Sequence, residues 1–177
     1  VAVQQSRDPS DRSRRTHRAA HVCRGGRRGR RRRDRCGRID GHGRIRDFVL
    51  VARTGGPAYL VIGEPGQRNE TVERLRSAVA PDWDVRIDDR TETTCLLGVI
   101  GPEAADLVSQ WLSEGLPDRL PPSQCLAFEA MGFRALAIRA SDTGEDGFVF
   151  MLAPGVARHT VELLRAAGTP LAGHRAH

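Results

Sequence analysis

Apolar positions are sparse from residue 1 to 38 and become regular from about Arg46 onward. The first stretch shows neither the period of 2 that marks a strand nor the 3.6 that marks a helix. With so little apolar surface to bury, it is expected to remain without regular structure. Asp47 to Ala52 then reads as a short strand, Gly55-Gly56-Pro57 as a turn, and Ala58 to Ile62 as the hairpin partner. Residues 66–80 switch to helical spacing, with Val72, Leu75, Ala78 and Val79 on one face, and Pro81 ends the run. Trp83 to Ile87 alternates as a strand, and Thr94 to Ile100 is a continuous apolar run of the buried-strand type. Gly101-Pro102 opens a helix carrying Ala104, Ala105, Leu107, Val108, Trp111 and Leu112. Strands are expected at 124–129, 133–139 and 147–152, and a last helix at 155–167, with Gly168 as its stop and Pro170 preventing continuation. The order β-β-α-β-β-α-β-β-β-α lacks strict βαβ alternation. It predicts an α+β fold with ferredoxin-like split βαβ elements.

Charge divides the chain at the same place as the apolar pattern. Residues 1–46 hold 16 Arg against 4 Asp, a net of +12, whereas residues 47–177 have a net of −6. The formal net charge of +6 is therefore an average over two unlike pieces, and any nucleic-acid reading applies only to the first. Its Arg run at 27–33 has no interleaved aromatic and no fold around it, so it reads as a solvated tail. His17, His21 and Cys23 lack the helical frame that would make them a metal trio, and no metal is expected. No 18-residue apolar run predicts a membrane span, and the N-terminus has no apolar core of a secretory signal. Cys95 and Cys125 sit in strand-like runs and form no CxxC pair, which predicts buried free thiols and a cytoplasmic location.

The run with most chemistry in it is Asp142-Thr143-Gly144-Glu145-Asp146-Gly147-Phe148. Composition alone makes it an acidic hairpin turn, since Asp and Gly are favoured there. Its context makes it more specific. Together with Arg139, this run resembles the Arg-Thr-Gly-Tyr-Thr-Gly-Glu-Asp-Gly-Phe-Glu run of the aminomethyltransferase family, which includes the T-protein of glycine cleavage. Val99-Ile100-Gly101-Pro102-Glu103-Ala104 is similar to that family's Leu-Gln-Gly-Pro-x-Ala turn, and Gly43-Arg44-Ile45-Arg46-Asp47-Phe48-Val49 to its Gly-Gly-x-x-Asp-Asp strand. Tyr59-Leu60-Val61 through Arg68 to Leu75 falls in register between them.

The resemblance implies a tetrahydrofolate-binding domain over residues 43–177, with residues 1–42 an Arg-rich segment outside it. It implies a catalytic role for Asp47 near the folate amines that accept the one-carbon unit. It implies cofactor binding by Glu145, with Arg139, Asp142, Thr143 and Gly144 around it. A pterin offers ring N3–H and a 2-amino group as parallel donors, and one carboxylate accepts both as a fork. The implied partners are folate and either a lipoyl carrier protein or a fused dehydrogenase. The chain departs from the family at Asp142, where Tyr is usual, at Ser141 for Gly, at Phe48 for the second Asp and at Glu64 for Asn. The family's N-terminal strands have no counterpart in residues 1–38, and Ala172 to His177 resembles the start of a longer run, so the resemblance implies a partial domain that is not a competent transferase alone. A non-catalytic folate-binding relative of iron–sulfur cluster maturation, and nucleic-acid binding through the Arg-rich segment, are the alternative readings.

All 28 basic residues are Arg, which fits GC-rich coding DNA, where a one-base slip turns Ala- and Pro-type codons into Arg-type codons. The coding DNA for residues 1–40, read one base out of frame, is expected to encode alternating apolar strands ending in a Gly-Gly-like turn. Stop codons or the absence of an apolar pattern in both other frames would contradict this.

Overall fold

A computed structural model of the chain describes residues 2–5, 33–39, 42, 45–55, 57–64, 66–122, 124–141 and 143–172. The chain divides into two compact units, Val1–Glu92 and Thr93–His177. Helices and strands mix in both, and the sheets are antiparallel, so the α+β class expected from the pattern is the observed one.

The first unit is built on a hairpin of β3 (Ile45–Gly55) and β4 (Ala58–Ile62). Two further strands, β1 (Ala2–Gln5) and β2 (Arg33–Ile39), lie in the stretch where the pattern predicted no regular structure. β2 runs antiparallel to β3, and β1 sits between β4 and β5 (Val85–Asp88), giving the order β2-β3-β4-β1-β5. Strand pairing is a backbone interaction and needs no apolar period, which is why Arg33–Ile39 joins the sheet despite its composition. The rest of the Arg-rich segment, with His17, His21 and Cys23, lies outside the described residues. Helix α1 (Arg68–Ser77) is shorter at both ends than its apolar spacing suggests: Gly66 at φ +87° precedes it and Val79 lies beyond it. Leu75 packs it against Val49 and Val61 of the hairpin. β5 begins at Val85, not Trp83. Trp83 instead stands exposed in a turn closed by its N–H to the Ala80 carbonyl.

A cation in the first turn of a helix opposes the helix dipole. Arg68 occupies that position in α1, and two carboxylates offset it: Nε donates to Asp89 at 2.7 Å and Nη1 to Glu92 at 2.7 Å. Asp89 also accepts the Thr91 hydroxyl and N–H, and these bonds, with Arg68, hold its carboxyl well below the usual carboxylate range.

The second unit is a four-stranded sheet in the order β6-β9-β8-β7, from β6 (Cys95–Ile100), β7 (Cys125–Ala130), β8 (Phe133–Arg139) and β9 (Gly147–Leu152). β6 and β8 both pair antiparallel with β9, so they point the same way with β9 between them. Helices α2 (Ala104–Trp111) and α4 (Pro154–Ala166) supply one layer of the core. Val108, Val156 and Leu164 meet Val99, Ala137, Phe148, Phe150 and Leu152 there. A short helix, α3 (Leu116–Arg119), lies in the stretch between α2 and β7 where the pattern predicted no element, and Leu116 and Leu120 are fully buried four residues apart. The end of α4 is as expected. Gly168 at φ +83° lets its own N–H reach the Arg165 carbonyl and the Thr169 N–H reach Leu164, a Schellman stop. Cys125 is buried and Cys95 half-buried, and neither is in a disulfide among the described residues.

Phe150 is fully buried, with its ring 5.9 Å edge-on from Phe128 and 6.2 Å from Phe148. Phe150→Ala is expected to cost about 3–5 kcal/mol, since it removes both ring contacts and leaves a cavity. The check is the denaturant midpoint, with the m-value unchanged.

Candidate functional site

The acidic run forms the loop between β8 and β9. Its base is closed by the Ala140 N–H donating to the Gly147 carbonyl at 2.8 Å. Gly147 admits no side chain there: a Cβ would stand 2.8 Å from the Ala140 carbonyl oxygen and 3.2 Å from Ile100 Cγ1. Inside the loop, hydroxyls serve the backbone. The Thr143 N–H donates to Ser141 Oγ at 3.3 Å, and the Glu145 N–H to Thr143 Oγ1 at 3.4 Å. Gly144, at φ +86°, makes the left-handed step that side chains resist.

Arg139 closes β8 and spends most of its donors on this loop and on α3. Nε and Nη2 meet Asp146 Oδ1 and Oδ2 at 3.0 and 2.6 Å, a bidentate fork. Nη1 donates to the Pro117 and Leu120 carbonyls at 3.1 and 3.2 Å, at the end of α3. The guanidinium carbon lies 5.2 Å from the centroid of the Phe148 ring. The fork and the neighbouring charge hold the Asp146 carboxyl below its usual range and raise Arg139. Asp146 is the residue missed in reading the sequence, although it stands two positions before Phe148, the cross-strand partner of Arg139. An opposite charge at that diagonal was the available signal.

Of the other expected site residues, Thr143, Gly144 and Glu145 come together on the exposed part of the loop, while Asp142 lies outside the described residues. The Glu145 carboxylate has no hydrogen bond or ion pair among the described residues. Asp47 lies in β3 of the first unit, opposite Arg38 of β2. Among the described residues no group of three or more His, Cys, Asp or Glu is placed to hold a metal ion, and no helix is long and apolar enough to cross a membrane.

A mixed domain with a clamped acidic loop on an antiparallel hairpin is thus the class that the geometry defines. Residues 38–176 match the family described as the GCVT N-terminal domain, and the chain belongs to that family. It is 32% identical over 135 residues to an aminomethyltransferase of Rubrobacter xylanophilus, covering 76% of this chain and 35% of that protein. It is 30% identical over 131 residues to one of Thermus thermophilus, covering 74% and 37%. The chain therefore spans about a third of the length of these curated relatives. Its fold is similar to the crystal structure of glycine cleavage system aminomethyltransferase T from Bartonella henselae, with a TM-score of 0.61 and 24% identity over 77% of this chain and 36% of that one.

Because the folded Asp146 is more acidic than the unfolded one, its ionised form stabilises the unit above the unfolded pKa of about 3.9. That contribution is lost as the pH falls through the lower, folded value. In urea titrations from pH 6 downward, wild type is expected to lose more stability below pH ~4 than Asp146→Asn does. Parallel curves would contradict a charged clamp. Gly147→Ala is expected to cost roughly 1–3 kcal/mol, since the new Cβ meets backbone that cannot turn aside. The same denaturation measurement checks it.

Proposed function

We propose that this chain is the tetrahydrofolate-binding part of a one-carbon transfer protein of the glycine-cleavage T-protein type. The observation that carries the reading is the Glu145 carboxylate: exposed, without a partner among the described residues, on a loop anchored at both ends. A free carboxylate on a rigid support suits a ligand edge that presents two parallel N–H donors, as the pterin N3–H and 2-amino group do. Thr143 and Gly144 shape the loop that presents it, and Arg139 holds the loop's far end, so these residues serve binding through Glu145. Asp142 adds a second negative charge beside Glu145 in sequence, where the aminomethyltransferase family usually has an aromatic ring.

In this proposal Asp47 acts on the reacting amines, orienting them and handling a proton as they take up the one-carbon unit. The donors are an aminomethyl group on a lipoyl carrier protein or a methylene from an N-methylglycine, and the setting is cytoplasmic. The relatives named aminomethyltransferase and the family match support this class of reaction.

Titration calorimetry with tetrahydrofolate tests the assignment of roles. Glu145→Gln removes a charge-assisted fork and is expected to cost roughly 2–4 kcal/mol, or about 30- to 1000-fold in affinity. Asp47→Asn is expected to cost less. Equal or reversed losses would overturn the roles given to the two residues.

A further inference from the structure

The fork on Arg139 is only part of what Asp146 does. Its backbone carbonyl accepts the Gly101 N–H at 2.9 Å, and its Oδ1 also accepts the Gly147 N–H at 3.0 Å. Gly101 is the turn residue between β6 and α2, at φ +143°, a conformation that L side chains rarely adopt. Its own carbonyl accepts the Ala104 N–H at 3.1 Å, the first N–H of α2. Three segments distant in sequence therefore converge on one residue: the Gly101 turn, the end of α3 through Arg139, and the acidic loop. Two of these segments, Val99–Ala104 and Arg139–Phe148, carry the runs by which the chain resembles its family. The bond from Gly101 to Asp146 joins them physically.

We propose that Asp146 is a positioning residue for Glu145: it locks the acidic loop to the Gly101 turn and to α3, and so sets the direction in which the neighbouring carboxylate is presented. The effect on ligand binding rests on the function proposed above, while the locking of the loop does not. Without this lock the loop would sample many orientations of Glu145, and each bound ligand would have to select one of them. With Asp146 in place that selection is made on folding. Arg139 cannot do this alone. Its partners on α3 are main-chain carbonyls that anchor the guanidinium, and the loop is reached only through the Asp146 carboxylate.

Two measurements on the whole chain test the proposal. The first needs no ligand. In Asp146→Asn, hydrogen exchange at the Gly101, Glu145 and Gly147 amides is expected to accelerate by about tenfold or more, while Ile138 and Val149, paired within the sheet, keep wild-type rates. Unchanged exchange at Gly101 and in the loop would overturn the proposal. If the Asn variant does not fold, Asp146→Glu retains the charge but lengthens the side chain, and the same local acceleration is expected. The second is a double-mutant cycle read by tetrahydrofolate affinity. Asp146→Asn is expected to weaken binding by about tenfold in the wild-type background and by less than about twofold in a Glu145→Gln background, since it acts only through Glu145. Equal losses in both backgrounds would overturn positioning through Glu145. Local acceleration of exchange in a protein that does not bind tetrahydrofolate would instead refute the folate reading and leave the locking role of Asp146 standing.

Discussion

The arrangement of the second unit depends on one half-buried ion pair. Arg139 and Asp146 share two short hydrogen bonds, and the remaining terminal nitrogen of the Arg is taken up by two carbonyls at the end of α3. An exposed single-point ion pair contributes little, because water and side-chain entropy cancel most of its attraction. This pair differs on three counts. It is bidentate, its side chains are only 22% and 33% exposed, and each partner makes further hydrogen bonds that hold it in place. Removing one partner leaves the other partly desolvated and unmatched, which makes the fork a constraint on geometry more than a source of net stability.

The constraint reaches into the core. Phe148 lies beneath the Arg139 guanidinium, is itself fully buried, and stacks beside Phe150, which meets Phe128 edge-on. The loop is thus rooted in the layer between the sheet and helices α2 and α4, and its exposed part consists of small and polar residues. Rigid support beneath, with a free carboxylate above, is what a site needs if ligand binding is not to be spent on ordering the protein. In the first unit Arg68 plays a comparable part at the head of α1, where Asp89 and Glu92 offset a cation placed against the helix dipole.

Much of this was legible in the sequence because apolar periodicity and turn residues agree. The three strands from Cys125 to Leu152 and helices α2 and α4 fall within a residue or two of the pattern. Gly168 reads correctly as a helix stop because a left-handed residue is a local requirement. What escaped is non-local. The Leu116 and Leu120 pair looks like loop beside Gly115 and Pro117, and only burial against the sheet makes it a helix. Arg33–Ile39 joins a sheet through backbone pairing that leaves no apolar trace. Trp83 looks like a strand residue by type but stands in a turn. At the candidate site, Glu145 and its loop could be picked out from the acidic run and its resemblance. The pairing of Arg139 with Asp146, 7 positions away, left a cross-strand charge signal, but the bond from Gly101 to the Asp146 carbonyl, 45 positions away, left none.

In the proposed function Glu145, held out on a clamped loop, reads the amino edge of a pterin. Comparing the affinity of tetrahydrofolate with that of its analogue lacking the 2-amino group tests this most directly, in wild type and in Glu145→Gln. Wild type is expected to bind tetrahydrofolate about tenfold or more tightly than the analogue, and the preference is expected to disappear in the variant, because only the carboxylate fork senses the missing donor. A preference of equal size in both proteins would contradict it.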